Sequence, residues 1–201
     1  SSDLKYTAHA TSRQLPAVKI GTGPKHMMII TQQHGNEYIT TEGALNLIQT
    51  LGANSAEAKA IREKITLIVM PRVNVDGFDA TPTGSPWRYN VDPNAPQTQF
   101  SSKGRGYDIN RYHPQDLTSD PYNPGQPNPV TEALAVRDLF ETYKPEVLLD
   151  MHHQGTYVDP ADPTKEMVTA STLWPTADGV DPDVQLMAKK VVSTLYTRLE
   201  Q

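Results

Sequence analysis

The sequence predicts an α/β fold: a three-layer sandwich in which a mostly parallel, mixed sheet is flanked by helices. Three observations carry that reading. Short apolar runs alternate with stretches of helical periodicity along the whole chain. The runs ITLIVM (65–70) and EVLLDM (146–151) read as strands buried on both faces. Strands separated by helical segments are joined by right-handed crossovers, which leave them parallel.

In chain order, AVKIG (17–21) and HMMIIT (26–31) read as strands separated by the turn TGPK. TTEGALNLIQTL (40–51) has helical spacing through Ala44, Leu47, Ile48 and Leu51, with a threonine cap and an early glutamate. After the strand at 65–70 comes a long irregular segment, Thr81 to Pro129, holding nine of the seventeen prolines. Loops of that length inside a domain are functional or disordered. VTEALAVRDLFETY (130–143), preceded by Pro129, is an amphipathic helix that leads into the strand at 146–151. DVQLMAKKVVSTLYTRL (183–199) is a helix with Val184, Met187, Val191 and Leu195 on one stripe. No repeat and no linker interrupts this order, so residues 1–201 are expected to form a single domain.

Composition narrows the function. A net charge of −5 argues against nucleic acid or an anionic membrane as partner, since both demand dense lysine and arginine. No apolar run is long enough to span a bilayer. With no cysteine, disulfides, thiolate catalysis and cysteine-bound zinc are excluded, so any metal is held by His, Asp and Glu. A cysteine-free, proline-rich, acidic chain favours export (periplasmic or secreted) over the cytoplasm.

The chemistry-bearing residues stand at strand ends. His34 and Glu37 follow the run at 26–31, and His152 and His153 follow the run at 146–151. Parallel strands bring both sites to one edge of the sheet, where ligands collect in open α/β folds. Two histidines and a glutamate match the three-ligand set of a catalytic zinc; the plain alternative is loop hydrogen bonding and surface exposure. Arg88 lies beside Trp87 in the proline-rich segment, and Asp108, Asn110 and Arg111 lie together further on. An Asn–Arg pair can grip a carboxylate, and a separate arginine near a metal can stabilise an oxyanion. A loop salt bridge and a core tryptophan are the ordinary alternatives.

The ordered series His34-x-x-Glu37, NVDGF (74–78), Trp87-Arg88, DINR (108–111) and DMH (150–152) resembles the zinc carboxypeptidases of the carboxypeptidase A-like family, from about Pro16 to about Gly155. The resemblance implies one Zn2+ held by His34, Glu37 and His152. It implies Arg88 as the group that polarises the scissile carbonyl, and Asn110 with Arg111 as the clamp on the substrate's terminal carboxylate. Asp108 would orient His34. The substrate would be a peptide or another small carboxylate-bearing molecule.

Departures from the family pattern set further expectations. Asn36 stands where some relatives carry a substrate-binding arginine. His153 complicates the choice of ligand; strand alternation turns it away from the face that His152 occupies. His153 and Asp159 are expected to be exposed rather than to form a second metal site. The family's general-base glutamate is expected past Gln201, since neither Glu166 nor Glu200 has the required position. The chain therefore reads as an incomplete catalytic domain lacking the last strands of its sheet. Two alternatives stay open: a zinc deacylase of N-acyl amino acids on the same fold, and a non-catalytic module that binds metal or carboxylate without hydrolysis.

Overall fold

Met27–Ile30 and Leu67–Met70 are apolar without interruption, so the strands they form need cover on both faces. The computed structural model supplies it; residues 6–7, 11, 13–79, 84–95, 104–114, 116, 118–161, 163–165, 167–168 and 170–199 are described. Glu166, Glu200 and Thr81 lie outside them. The chain forms two compact units, Ser1–His153 and Gln154–Gln201.

In the first unit the elements run β1 (Tyr6–Thr7), β2 (Gln14–Leu15), β3 (Val18–Ile20), β4 (Lys25–Thr31), α1 (Ile39–Gly52), α2 (Ala56–Lys64), β5 (Ile65–Met70), α3 (Val75–Asp79), a single 3-10 turn at Ile109–Arg111, α4 (Thr131–Tyr143) and β6 (Val147–Met151). The main sheet has the order β3-β5-β4-β6. β4 runs parallel to both β5 and β6, while β3 is antiparallel to β5. The sheet is thus mixed and mostly parallel, as the sequence predicts.

Strand alternation divides the core in two. Met28, Ile30, Ile68 and Met70 point to one face and pack with Val136 and Leu139 of α4 and with Ile109. Ile29, Leu67 and Val69 point to the other and meet Ala44 and Leu51 of α1. Each such side chain contributes about 1.5–3 kcal/mol by leaving water. Helix, sheet and helix therefore make the three layers.

The structure departs from the sequence reading at three elements. α2 is a helix that the apolar pattern does not reveal; Ser55 caps it, its hydroxyl accepting from the Ala58 amide at 3.1 Å. α1 begins at Ile39 with Tyr38 at its cap and no side-chain cap bond; the Thr40 hydroxyl instead donates to the Glu37 carbonyl at 2.8 Å. β6 is less covered than β4 and β5 among the described residues: Leu148 and Met151 are each 41% exposed. Among the described residues it pairs with β4 alone and so lies at the sheet edge.

The second unit holds β7 (Tyr157–Val158) antiparallel to β8 (Met167–Val168), and α5 (Pro182–Leu199). The predicted helix is there, yet Val184, Met187 and Leu195 of its stripe are exposed. A two-residue hairpin and one helix carry too little apolar surface to cover it. Among the described residues no helix is long and apolar enough to cross a membrane.

Candidate metal centre

Parallel pairing of β4, β5 and β6 sends three chain exits to one edge of the sheet, after Thr31, Met70 and Met151. At the first exit Gln32 takes a left-handed backbone, with φ of 54°. That turn is held by its side chain: Nε2 donates to the Gly35 carbonyl at 2.7 Å, and Oε1 accepts from Arg72 Nε at 2.8 Å and from the Thr41 hydroxyl. Gly35 then passes so close to two other loops that a β-carbon on it would lie 2.3 Å from Gly77 C and 2.6 Å from the Trp87 carbonyl. Gly77 similarly leaves no room, its would-be β-carbon lying 2.2 Å from the Tyr89 carbonyl. Asn74 stitches the stack, its amide near the carbonyls of Gln33 and Arg88, both at 3.1 Å, while Oδ1 accepts from the Gly77 amide. Loops carrying His34, NVDGF and Arg88 thereby become one rigid layer.

On this layer His34 and Glu37 meet His152, which arrives from the end of β6. Nδ1 of His34 is 2.8 Å from Glu37 Oε1. Nδ1 of His152 is 3.0 Å from Glu37 Oε2 and 3.2 Å from His34 Nδ1. All three ligand atoms lie within 4.8 Å of one another. A tetrahedral zinc with bonds near 2.0–2.2 Å separates its ligand atoms by about 3.4 Å, a spacing within the 4.8 Å span of this donor set. Among the described residues this is the one group of three such side chains that close together. The adjacent His153 is exposed and contributes its backbone amide, which donates to Glu37 Oε2 at 3.1 Å. Asp159 is exposed as well.

Asp108 joins the centre to Arg88. Its Oδ1 is 3.1 Å from His34 Nε2, and its Oδ2 accepts from Arg88 Nε at 2.8 Å. Asn110 and Arg111 sit on the 3-10 turn that follows. The Asn110 amide nitrogen is 3.4 Å from His152 Nε2, and Arg111, exposed, donates to the Asn110 carbonyl at 3.1 Å.

The electrostatics suit a cation. Burial raises the Glu37 pKa, but hydrogen bonds from His152, His34 and the His153 amide outweigh it and hold the carboxyl at about 2. Burial likewise opposes ionisation of Asp108, and His34 and Arg88 overcome it, again to about 2. Hydrogen bonds to Asp150 and Glu37 lift His152 to about 10. For His34, burial pulls downward, yet Asp108 and Glu37 prevail and raise its pKa. The carboxylates thus favour positive charge at this point, and a divalent ion would supply it.

Sequence reasoning did not assign Gln33, Asp150 or Asn74, nor the need for glycine at 35 and 77. The strand-end placement of Gln33 and Asp150, beside the histidines, is the signal that was available.

The profile described as zinc carboxypeptidase matches residues 7–200. Carboxypeptidase D of Anas platyrhynchos is 30% identical over 141 residues, 68% of this chain and 9% of that protein. The crystal structure of carboxypeptidase A from Helicoverpa armigera superposes with a TM-score of 0.58 at 18% identity, covering 77% of this chain and 41% of that one. Thrombin activatable fibrinolysis inhibitor superposes at 0.64 and 17% identity, covering 97% of this chain and 50% of the other. At those identities the likeness is one of fold, and the chain spans half or less of each relative.

Proposed function

The chain belongs to the zinc carboxypeptidase family, and from that premise we propose that the protein is a zinc-dependent carboxypeptidase, hydrolysing the last peptide bond of peptides with a free C-terminus. The convergence of His34, Glu37 and His152 on one point, with Arg88 tied to the same layer through Asp108, carries the proposal.

His34, Glu37 and His152 would hold the ion. Zinc, when bound, supplies a Lewis acid that polarises the scissile carbonyl and makes water acidic enough to attack it near neutral pH. Arg88 directs its guanidinium at the oxyanion that develops on that carbonyl, its Nε braced by Asp108 so that little reorganisation is needed. Asn110 and Arg111 receive the terminal carboxylate, the guanidinium by paired hydrogen bonds and the amide by a further donor. That grip restricts cleavage to the final residue. For the bond to break, the water's proton must reach the leaving amine.

Arg88→Ala in the natural full-length protein tests the scheme. A loss of about 100- to 1,000-fold in kcat is expected. Weaker substrate binding with unchanged turnover would sink the oxyanion role. N-acyl amino acids assayed beside blocked dipeptides distinguish peptidase from deacylase; the peptide should be the better substrate.

A further inference from the structure

Both imidazoles of the centre are gripped in the same manner. Each places Nδ1 against Glu37 and Nε2 against an aspartate, Asp108 for His34 at 3.1 Å and Asp150 for His152 at 2.8 Å. The family resemblance gives the first aspartate a role; the second stands in the matching DMH stretch (150–152) and is given none. Granting the zinc site proposed above, we infer that Asp150 is a positioning residue: held by a Gln33–His113 pair, it fixes His152 with Nε2–H outward and Nδ1 toward the ion.

The chemistry leaves little choice of tautomer. A neutral imidazole has one N–H and one lone pair, and an ionised carboxylate only accepts. With Glu37 and the Nδ1 side of the ring given over to the ion, Asp150 Oδ2 at 2.8 Å is the acceptor left for the one ring hydrogen, which then belongs on Nε2. The NH2 group of Asn110, 3.4 Å from the same nitrogen, is a donor and cannot take that hydrogen. A carboxylate that orients a metal-bound histidine must itself be fixed. Asp150 lies near the end of an edge strand with a partly exposed side chain, so water alone would let it turn.

Gln33 prevents that. Its side chain is buried, Nε2 donates to Asp150 Oδ2 at 2.6 Å, and Oε1 accepts from His113 Nε2–H at 2.6 Å. Because Asp150 can only accept and His113 donates at the other end, the amide has one orientation. Parallel register sets the meeting: Ile30 pairs with Asp150, so Gln33 emerges from β4 beside the end of β6. Asn74 holds the Gln33 backbone carbonyl from behind, at 3.1 Å.

Zinc affinity of the metal-free, natural full-length protein, measured by chelator competition, tests this without reference to activity. Asp150→Asn should bind zinc about 10- to 100-fold more weakly. Gln33→Leu, which keeps the buried volume but loses both bonds, should show a smaller loss. If Gln33 acts through Asp150, the double variant should be no weaker than Asp150→Asn. Nitrogen-15 NMR of the zinc-loaded protein should show His152 protonated at Nε2 and metal-bound at Nδ1. Affinity of Asp150→Asn within twofold of the parent, or losses that multiply in the double variant, would overturn the inference. Should Asp150→Asn fail to fold, Gln33→Leu carries the test, and parent-like affinity overturns it. His34→Ala separates the two claims. If it leaves zinc affinity intact, the metal centre itself is wrong. If it abolishes binding while Asp150→Asn keeps it, only the positioning role falls.

Discussion

Replacing Gly35 with alanine puts a methyl group into the stack of loops beneath the metal centre. The new carbon would lie 2.3 and 2.5 Å from Gly77 C and O and 2.6 Å from the Trp87 carbonyl, all of them backbone atoms. Carbon contacts settle near 3.5–4 Å, so the neighbouring strands of chain must retreat by about an ångström. Two bonds stand in the way: the Gly35 amide to the Arg88 carbonyl at 3.2 Å and the Trp87 amide to the Gly77 carbonyl at 2.9 Å. Overpacking costs about 1–3 kcal/mol, and a buried backbone group left unpaired costs about 1–3 kcal/mol more. The expected loss is about 2–6 kcal/mol, a large share of the stability of a small domain. Gly43 is the control: it lies within α1 with nothing near its would-be β-carbon, so Gly43→Ala should be neutral or stabilise by about 0.5–1 kcal/mol. Urea denaturation of the metal-free protein measures both. A Gly35→Ala variant within 0.5 kcal/mol of the parent, by the usual margin for surface changes, would refute the close stacking and with it the rigid layer.

Asp108→Asn removes the carboxylate shared by His34 and Arg88; zinc affinity should fall about 10- to 100-fold, read by chelator competition. The metal-free protein should be most stable between about pH 4.5 and 6.5. Below that window the unfolded chain takes up protons that Glu37 and Asp108 resist down to about 2. Above it the unfolded histidine gives up the proton that folded His152 keeps to about 10, so stability falls as pH rises toward that value. Denaturation at a series of pH values checks both limbs, and a flat profile from pH 6.5 to 9 would contradict the second. Leu139→Ala, fully buried between α4 and the sheet, should cost about 2–5 kcal/mol, whereas exposed Leu45→Ala should be close to neutral in the same assay.

The sheet was legible where both faces of a strand are buried, because β4 and β5 then carry the unbroken apolar stretches Met27–Ile30 and Leu67–Met70. β6 resembles them in composition, yet among the described residues only Val147 and Leu149 of its five residues are partly covered. Helix α2 was hidden for the opposite reason: AEAKAIREK buries only Ala58, so it has no apolar stripe to reveal its period. Its capping serine, early Glu57 and terminal Arg62 and Lys64 were the local signals available. At the metal centre, strand ends and parallel order, both readable along the chain, bring His34 and Glu37 toward the His152–His153 pair, and the family resemblance singles out His152. Gln33 and Asp150 are 117 positions apart, and their meeting depends on the register of β4 against β6. No local pattern encodes that register. Nor does sequence alone separate Gly35, which admits no side chain, from Gly43, which stands in open space.

The most direct measurement is zinc content together with zinc-edge anomalous diffraction from crystals of the natural full-length protein grown with the metal. One ion per chain should appear between the imidazole nitrogens of His34 and His152 and the carboxylate of Glu37. A folded protein that takes up no zinc, or that binds its ion elsewhere with those three side chains still bonded only to one another, would contradict the account.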